Sequence, residues 1–102
     1  MYIRFVKKIN ADGNPCRKCA DVEQRLRDAG YYEKIDQIVI ADETDRDSEG
    51  MRLARKYNVE TAPFFIVEDD DGETEVYTIY FKFLKEVLQA ATSHKLQATS
   101  NL

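Results

Sequence analysis

Pro15-Cys16-Arg17-Lys18-Cys19 is the stretch on which the reading of this chain turns. It follows a turn-rich loop and opens a run of apolar residues at helical spacing, so the two thiols fall at the start of a helix. Thiols three residues apart there lie about one turn from each other, within the Cα separation of roughly 4.4–6.8 Å that a disulfide requires. A helix N-terminus contributes partial positive charge and free N–H groups, and both favour a thiolate over a thiol. Arg17 and Lys18 add two cations beside it. This is the pattern of a dithiol redox centre.

Working outward, Met1-Tyr2-Ile3-Arg4-Phe5-Val6-Lys7-Lys8 alternates apolar and charged residues and reads as a first strand ending near Ile9, not as a leader. Asn10-Ala11-Asp12-Gly13-Asn14-Pro15 is a loop. Cys19, Val22, Leu26 and Ala29 then mark one helix face, with Gly30 as its stop. Residues 35–41, rich in Ile and Val, predict a buried central strand. Asp47 or Ser48 caps a second helix carried by Met51, Ala54, Arg55 and Tyr57 to about Asn58. Thr61-Ala62-Pro63 leads into the buried run Phe64-Phe65-Ile66-Val67. Asp69-Asp70-Asp71-Gly72 turns the chain into a strand over residues 75–80. Phe81, Leu84, Val87, Leu88 and Ala91 predict a last amphipathic helix, and residues 92–102 read as a polar, disordered C-terminal tail. The class is α/β, in the order β-α-β-α-β-β-α, with a four-stranded mixed sheet flanked by three helices. Helical crossovers make the early strands parallel, and the hairpin adds an antiparallel edge.

One hundred and two residues suffice for one small domain, here residues 1–91. A net charge of −4 argues against a nucleic-acid footprint, which needs a basic face. No apolar run approaches the roughly 20 residues of a membrane span. A cytoplasmic location is the expectation, and there a CxxC is more often catalytic or metal-binding than a permanent staple.

The element order, with Pro15-Cys16-Arg17-Lys18-Cys19 at the first helix and Val59-Glu60-Thr61-Ala62-Pro63 opening the third strand, resembles the thioredoxin-fold oxidoreductase family. Its compactness is most similar to glutaredoxin, and the resemblance spans residues 1–91. It implies a thiol–disulfide oxidoreductase in which Cys16 is the exposed attacking thiol and Cys19 the buried resolving one. It also implies that Pro63 is a cis-proline against the dithiol and that Ala62 offers its backbone to an extended substrate. Arg17, Lys18, Thr61, Ala62 and Pro63 are the expected substrate-binding residues. The Gly-Gly with which glutaredoxins contact glutathione is here Tyr80-Phe81, and no aromatic precedes the first cysteine. No bound cofactor or metal is called for. The expected partners are disulfide-bearing proteins or small molecules, with a reductase or glutathione as electron source, and the chain is expected to be a monomer.

Other readings of the same residues stand beside this one. A CxxC is also half of a zinc site, but with two cysteines and the single His94 only a dimer could complete it. That alternative is a non-catalytic thioredoxin-like interaction module, a metal-bridged dimer through CxxC. Cysteines are also often inert core residues. Lys7 and Lys8 either steer anionic substrates or keep a strand edge solvated. Residues 68–71 lack the spacing of a calcium loop and read as a solvated turn. His94 belongs to the tail, and Phe64-Phe65 and Phe81-Phe83 to the core.

Overall fold

Alternating side chains make β1 (Tyr2–Ile9) a strand whose two faces both find partners. A computed structural model of the chain describes residues 1–90; Ala91, His94 and the expected tail lie outside the described residues. The loop after β1 leads into α1 (Arg17–Asp28), which buries Cys19, Val22 and Leu26. Gly30, at φ +79°, ends α1: its N–H donates to the Arg27 carbonyl at 3.1 Å and that of Tyr31 to the Leu26 carbonyl at 2.9 Å. Only a left-handed residue lets both bonds close the last turn. A single 3-10 turn precedes β2 (Gln37–Asp42), followed by α2 (Glu49–Lys56), β3 (Phe64–Glu68) and β4 (Thr74–Tyr77). Asn58, at φ +56°, ends α2 in the same way as Gly30 ends α1, with the Val59 N–H donating to Ala54. In the hairpin the Asp69 carboxylate accepts from the N–H groups of Asp71 and Glu73, both at 2.9 Å. The last element, α3 (Tyr80–Phe83), continues as a π-helical segment (Leu84–Gln89).

The strands form one mixed sheet in the order β2-β1-β3-β4, with β1 parallel to β2 and antiparallel to β3, and β3 antiparallel to β4. One face, built on Ile3, Phe5, Phe65, Val67 and Tyr77, is covered by Val22 and Leu26 of α1 and by Phe83, Val87 and Leu88. Phe5, Phe65 and Phe83 stack there, with ring centroids 4.9 and 3.9 Å apart. The other face, built on Val6, Val39, Ala41, Phe64 and Ile66, is covered by Met51, Leu53, Ala54 and Tyr57 from α2 and its end. The protein is thus a mixed α/β sandwich of helix, sheet and helix.

Four expectations need correction. The strand over residues 37–42 is an edge strand, not a central one, and Ile38 and Ile40 are 40% and 39% exposed, since α1 packs over β1 and β3. β3 runs antiparallel to β1, because residues 57–63 carry the chain back to the sheet end at which β2 finished. β4 stops at Tyr77: its register with Phe65 would set Ile79 against Pro63, which has no N–H for a ladder bond. Phe81 is 64% exposed whereas Phe83 is fully buried. Residues two apart on a helix point to nearly opposite sides, so only one of the two can face the core.

Candidate dithiol site

The loop over residues 10–15 is closed by its own hydrogen bonds. The Asn10 N–H donates to Asn14 at 2.8 Å, that of Gly13 to Asn10 at 2.8 Å, and that of Asn14 to the Asp12 carboxylate at 2.9 Å. Gly13 sits at φ +85°, and Pro15 returns to bridge Ile9. The loop therefore brings Cys16 back beside the end of β1, where its N–H donates to the Lys8 carbonyl at 3.0 Å. One turn on, the Cys19 sulfur accepts the Lys8 N–H at 3.4 Å. The two backbone groups of one strand residue thus hold both cysteines.

Cys16 is the N-cap of α1, and its sulfur accepts the Cys19 N–H at 3.2 Å. It occupies the place a serine or aspartate oxygen usually takes, so the helix start aims an N–H at the first sulfur. Both cysteines are free thiols. Contrary to the expected exposed thiol, Cys16 is buried, at 7% exposure; Cys19 is deeper, at 1%. The cause is the loop, which folds back on β1 instead of leaving the helix start open. Burial pushes the Cys19 thiol up to about 12, assisted by its hydrogen bond with Cys16, while the Lys8 N–H and the Lys8 charge pull the other way.

Arg17 and Lys18 are exposed at the first turn of α1, and among the described residues neither forms an ion pair. The Ala62–Pro63 bond is cis; Thr61 is exposed, Ala62 half-buried and Pro63 buried. Because Phe64 stands opposite Val6, the preceding residues Pro63 and Ala62 lie at the same end of the sheet as Lys7 and Lys8. All the expected site residues therefore gather at one end of the sheet, on two segments. Of these residues Thr61 and Ala62 line a groove of about 370 Å³ on the α2 face, together with Lys8, Glu43, Arg55 and Phe64 among others; neither cysteine lines it.

Two residues of this region carried no site role in the sequence reading. Lys8 stood as a steering or solubilising cation, yet its backbone is the clamp. Glu43, which directly follows β2, went unremarked, yet its carboxylate accepts the Ala11 N–H at 3.2 Å and lies 3.9 Å from the Lys8 ammonium. Lys8 stands seven residues before Pro15, where the loop ends, and carries no local mark of such contacts. Lys7 is engaged elsewhere, with Glu23 of α1 at 2.6 Å. Among the described residues no three of His, Cys, Asp and Glu converge as ligands for a metal, and no helix is long and apolar enough to cross a membrane. Comparison with family models, with curated proteins and with solved structures finds no match for this chain.

Proposed function

We propose that the chain is a thiol–disulfide oxidoreductase with a thioredoxin-like fold of the compact, glutaredoxin-like kind, acting as a cytoplasmic monomer without a bound cofactor. The observation that carries the reading is a pair of free thiols of unequal burial, one turn apart at the start of α1 and both held by Lys8. The element order and the gathering of Ala62 and Pro63 at the same sheet end support it. Cys16, the less buried sulfur and the one that accepts the Cys19 N–H, attacks the substrate disulfide; a Cys16–substrate disulfide forms and the first substrate thiolate leaves. Cys19 then loses its proton to solvent and attacks the Cys16 sulfur, expelling the second substrate thiolate and closing the Cys16–Cys19 disulfide. The protein is oxidised by two electrons and the substrate reduced by two. A reductase or glutathione returns them.

The test is dithiothreitol-driven reduction of a protein disulfide, followed by precipitation of the released chains. The wild-type chain should accelerate it, Cys16→Ser should not, and Cys19→Ser should accumulate mixed disulfides. A wild-type rate equal to that of Cys16→Ser refutes the reading. The near-complete burial of both thiols favours a second reading, a non-catalytic interaction module. In that case purified protein would hold thiols that stay reduced under mild oxidants, or zinc at one ion per two chains.

A further inference from the structure

Resting on that reading, we propose that the loop over residues 10–14 is a lid over the Cys16 sulfur and that Glu43 is its latch, a positioning residue for the first step of the exchange. An attacking sulfur has to meet a substrate disulfide in line, and Cys16, at 7% exposure, has no open approach while the loop lies back on β1. Some element has to move, and the loop is the one least held. Ala11, Asp12, Gly13, Asn14 and Pro15 are all exposed, and no residue of the loop belongs to either apolar cluster. Segments without buried apolar contacts open at the low end of a protein's free-energy scale. The neighbouring elements lack that freedom: α1 is anchored by Cys19, Val22 and Leu26, and Pro63 runs directly into the buried strand β3.

The lid moves as a unit. The bonds donated by the N–H groups of Asn10, Gly13 and Asn14 close the loop on itself and stay intact when it swings. Two things join it to the rest of the molecule: the bridge between Ile9 and Pro15 at its base, and one side chain. Among the described residues, the Glu43 carboxylate is the only side chain from outside the loop that bonds to it, accepting the Ala11 N–H at 3.2 Å. Glu43 has a firm footing, since it directly follows β2 and its own N–H donates to the Ile9 carbonyl at 2.9 Å. The latching bond is exposed, so breaking it exchanges one partner for water at small cost. The same oxygen lies 3.9 Å from the Lys8 ammonium, a loose pairing that leaves it free for Ala11. Opening governs the first step alone. There the Cys16 proton goes to water, a bond forms between Cys16 and one substrate sulfur, and the substrate disulfide breaks as its other sulfur leaves as thiolate. The second step joins sulfurs already in place, with Cys19 held by the Lys8 N–H on β1, outside the loop.

The experiment mixes reduced protein with an excess of an aromatic disulfide whose thiol is coloured. The first coloured thiol appears at a rate proportional to reagent, as Cys16 attacks; the second appears at a rate independent of reagent, as Cys19 resolves. Glu43→Ala, which removes the acceptor, should quicken the first phase about three- to tenfold, the scale of one net hydrogen bond. Glu43→Gln loses the charge but keeps an acceptor oxygen, so its first phase should stay within about twofold of the wild type. Neither substitution should move the second phase. Alkylation of Cys16 by iodoacetamide, resolved by site and needing no second thiol, should follow the same order among the three chains. A first phase that Glu43→Ala leaves unchanged or slows, a gain that Glu43→Gln shares in full, or a gain spread equally over both phases overturns the proposal. A wild-type chain whose Cys16 is alkylated but which releases no second coloured thiol overturns the dithiol reading, while the order of alkylation still decides the lid.

Discussion

Replacing Gly50 by alanine sets two opposing effects against each other, and the structure decides the sign. Gly50 is the second residue of α2 and is buried. In an exposed helix the change would stabilise by about 0.5–1 kcal/mol, because glycine loses more backbone freedom on folding. Here a Cβ would lie 2.5 Å from the Ala41 Cα and from the Ile40 carbonyl carbon, and closer still to the Ala41 nitrogen. Ordinary contact between carbons is about 3.5–4.0 Å, so α2 would have to retreat from β2 by about 1 Å. The obstructing atoms are strand backbone held by pairing with β1, so no side chain can swing aside. A gap of that size forfeits a quarter to a half of the dispersion well for each contact that Met51, Leu53 and Ala54 make with the sheet. Overpacking of this kind costs about 1–3 kcal/mol or more. The net expectation for Gly50→Ala is a loss of about 2 kcal/mol, a melting temperature lower by roughly 8–16 °C in a domain of this size. Urea unfolding followed by far-ultraviolet circular dichroism measures it. A midpoint equal to or above that of the wild type would refute the close approach of α2 to β2.

Phe83→Ala should cost about 3–5 kcal/mol, since Phe83 is fully buried and stacks on Phe65, whereas Phe81→Ala should fall within about 0.5 kcal/mol of the wild type; equal losses in thermal unfolding would contradict the assignment of only one ring to the core. Alkylation of the folded, reduced chain at neutral pH should label Cys16 first; in a Cys16→Ser chain the labelling of Cys19 should still climb steadily with pH above neutrality, because burial raises its thiol, and a plateau near pH 8 would show the burial to be illusory. Burial raises the Glu23 carboxyl, but its bonds to Lys7 and Arg27 outweigh that and leave it below its ordinary value. Its contribution is therefore present above the unfolded value and lost as pH falls through the lower folded one. Glu23→Gln should accordingly cost about 1 kcal/mol at pH 7 and nothing once the wild-type carboxyl is protonated, a difference that urea midpoints across pH 2–7 would show to be wrong if it stayed constant. If the proposed glutaredoxin-like reading holds, glutathione should drive turnover poorly relative to dithiothreitol, because Tyr80-Phe81 replaces the Gly-Gly of the glutaredoxins; saturable, efficient glutathione-coupled turnover would remove that expectation.

The elements that could be read from the chain are those whose causes are local. Cys19, Val22 and Leu26 recur at the helical period, and Gly30 ends α1 because the left-handed residue there belongs to the last turn itself. Asp69 and Gly72 make their turn from groups within four residues of each other. The dithiol is legible for the same reason, since its spacing and its place at a helix start are both matters of adjacent residues.

What the tertiary structure alone decided depends on neighbours distant in the chain. Ile38 and Ile40 read as buried because a β-branched run signals burial on both faces, but the sheet order sets β2 at the edge and α1 lies over other strands. Phe81 and Phe83 are equally apolar, and the direction in which α3 leaves β4 determines which of them meets Phe65. Cys16 is buried by a loop whose fold runs back along β1, and Lys8 becomes the residue that holds both sulfurs only because that loop returns to it. Periodicity and turn chemistry act over a few residues, whereas strand order, helix coverage and the return of a loop to a strand are set by which segments share a core.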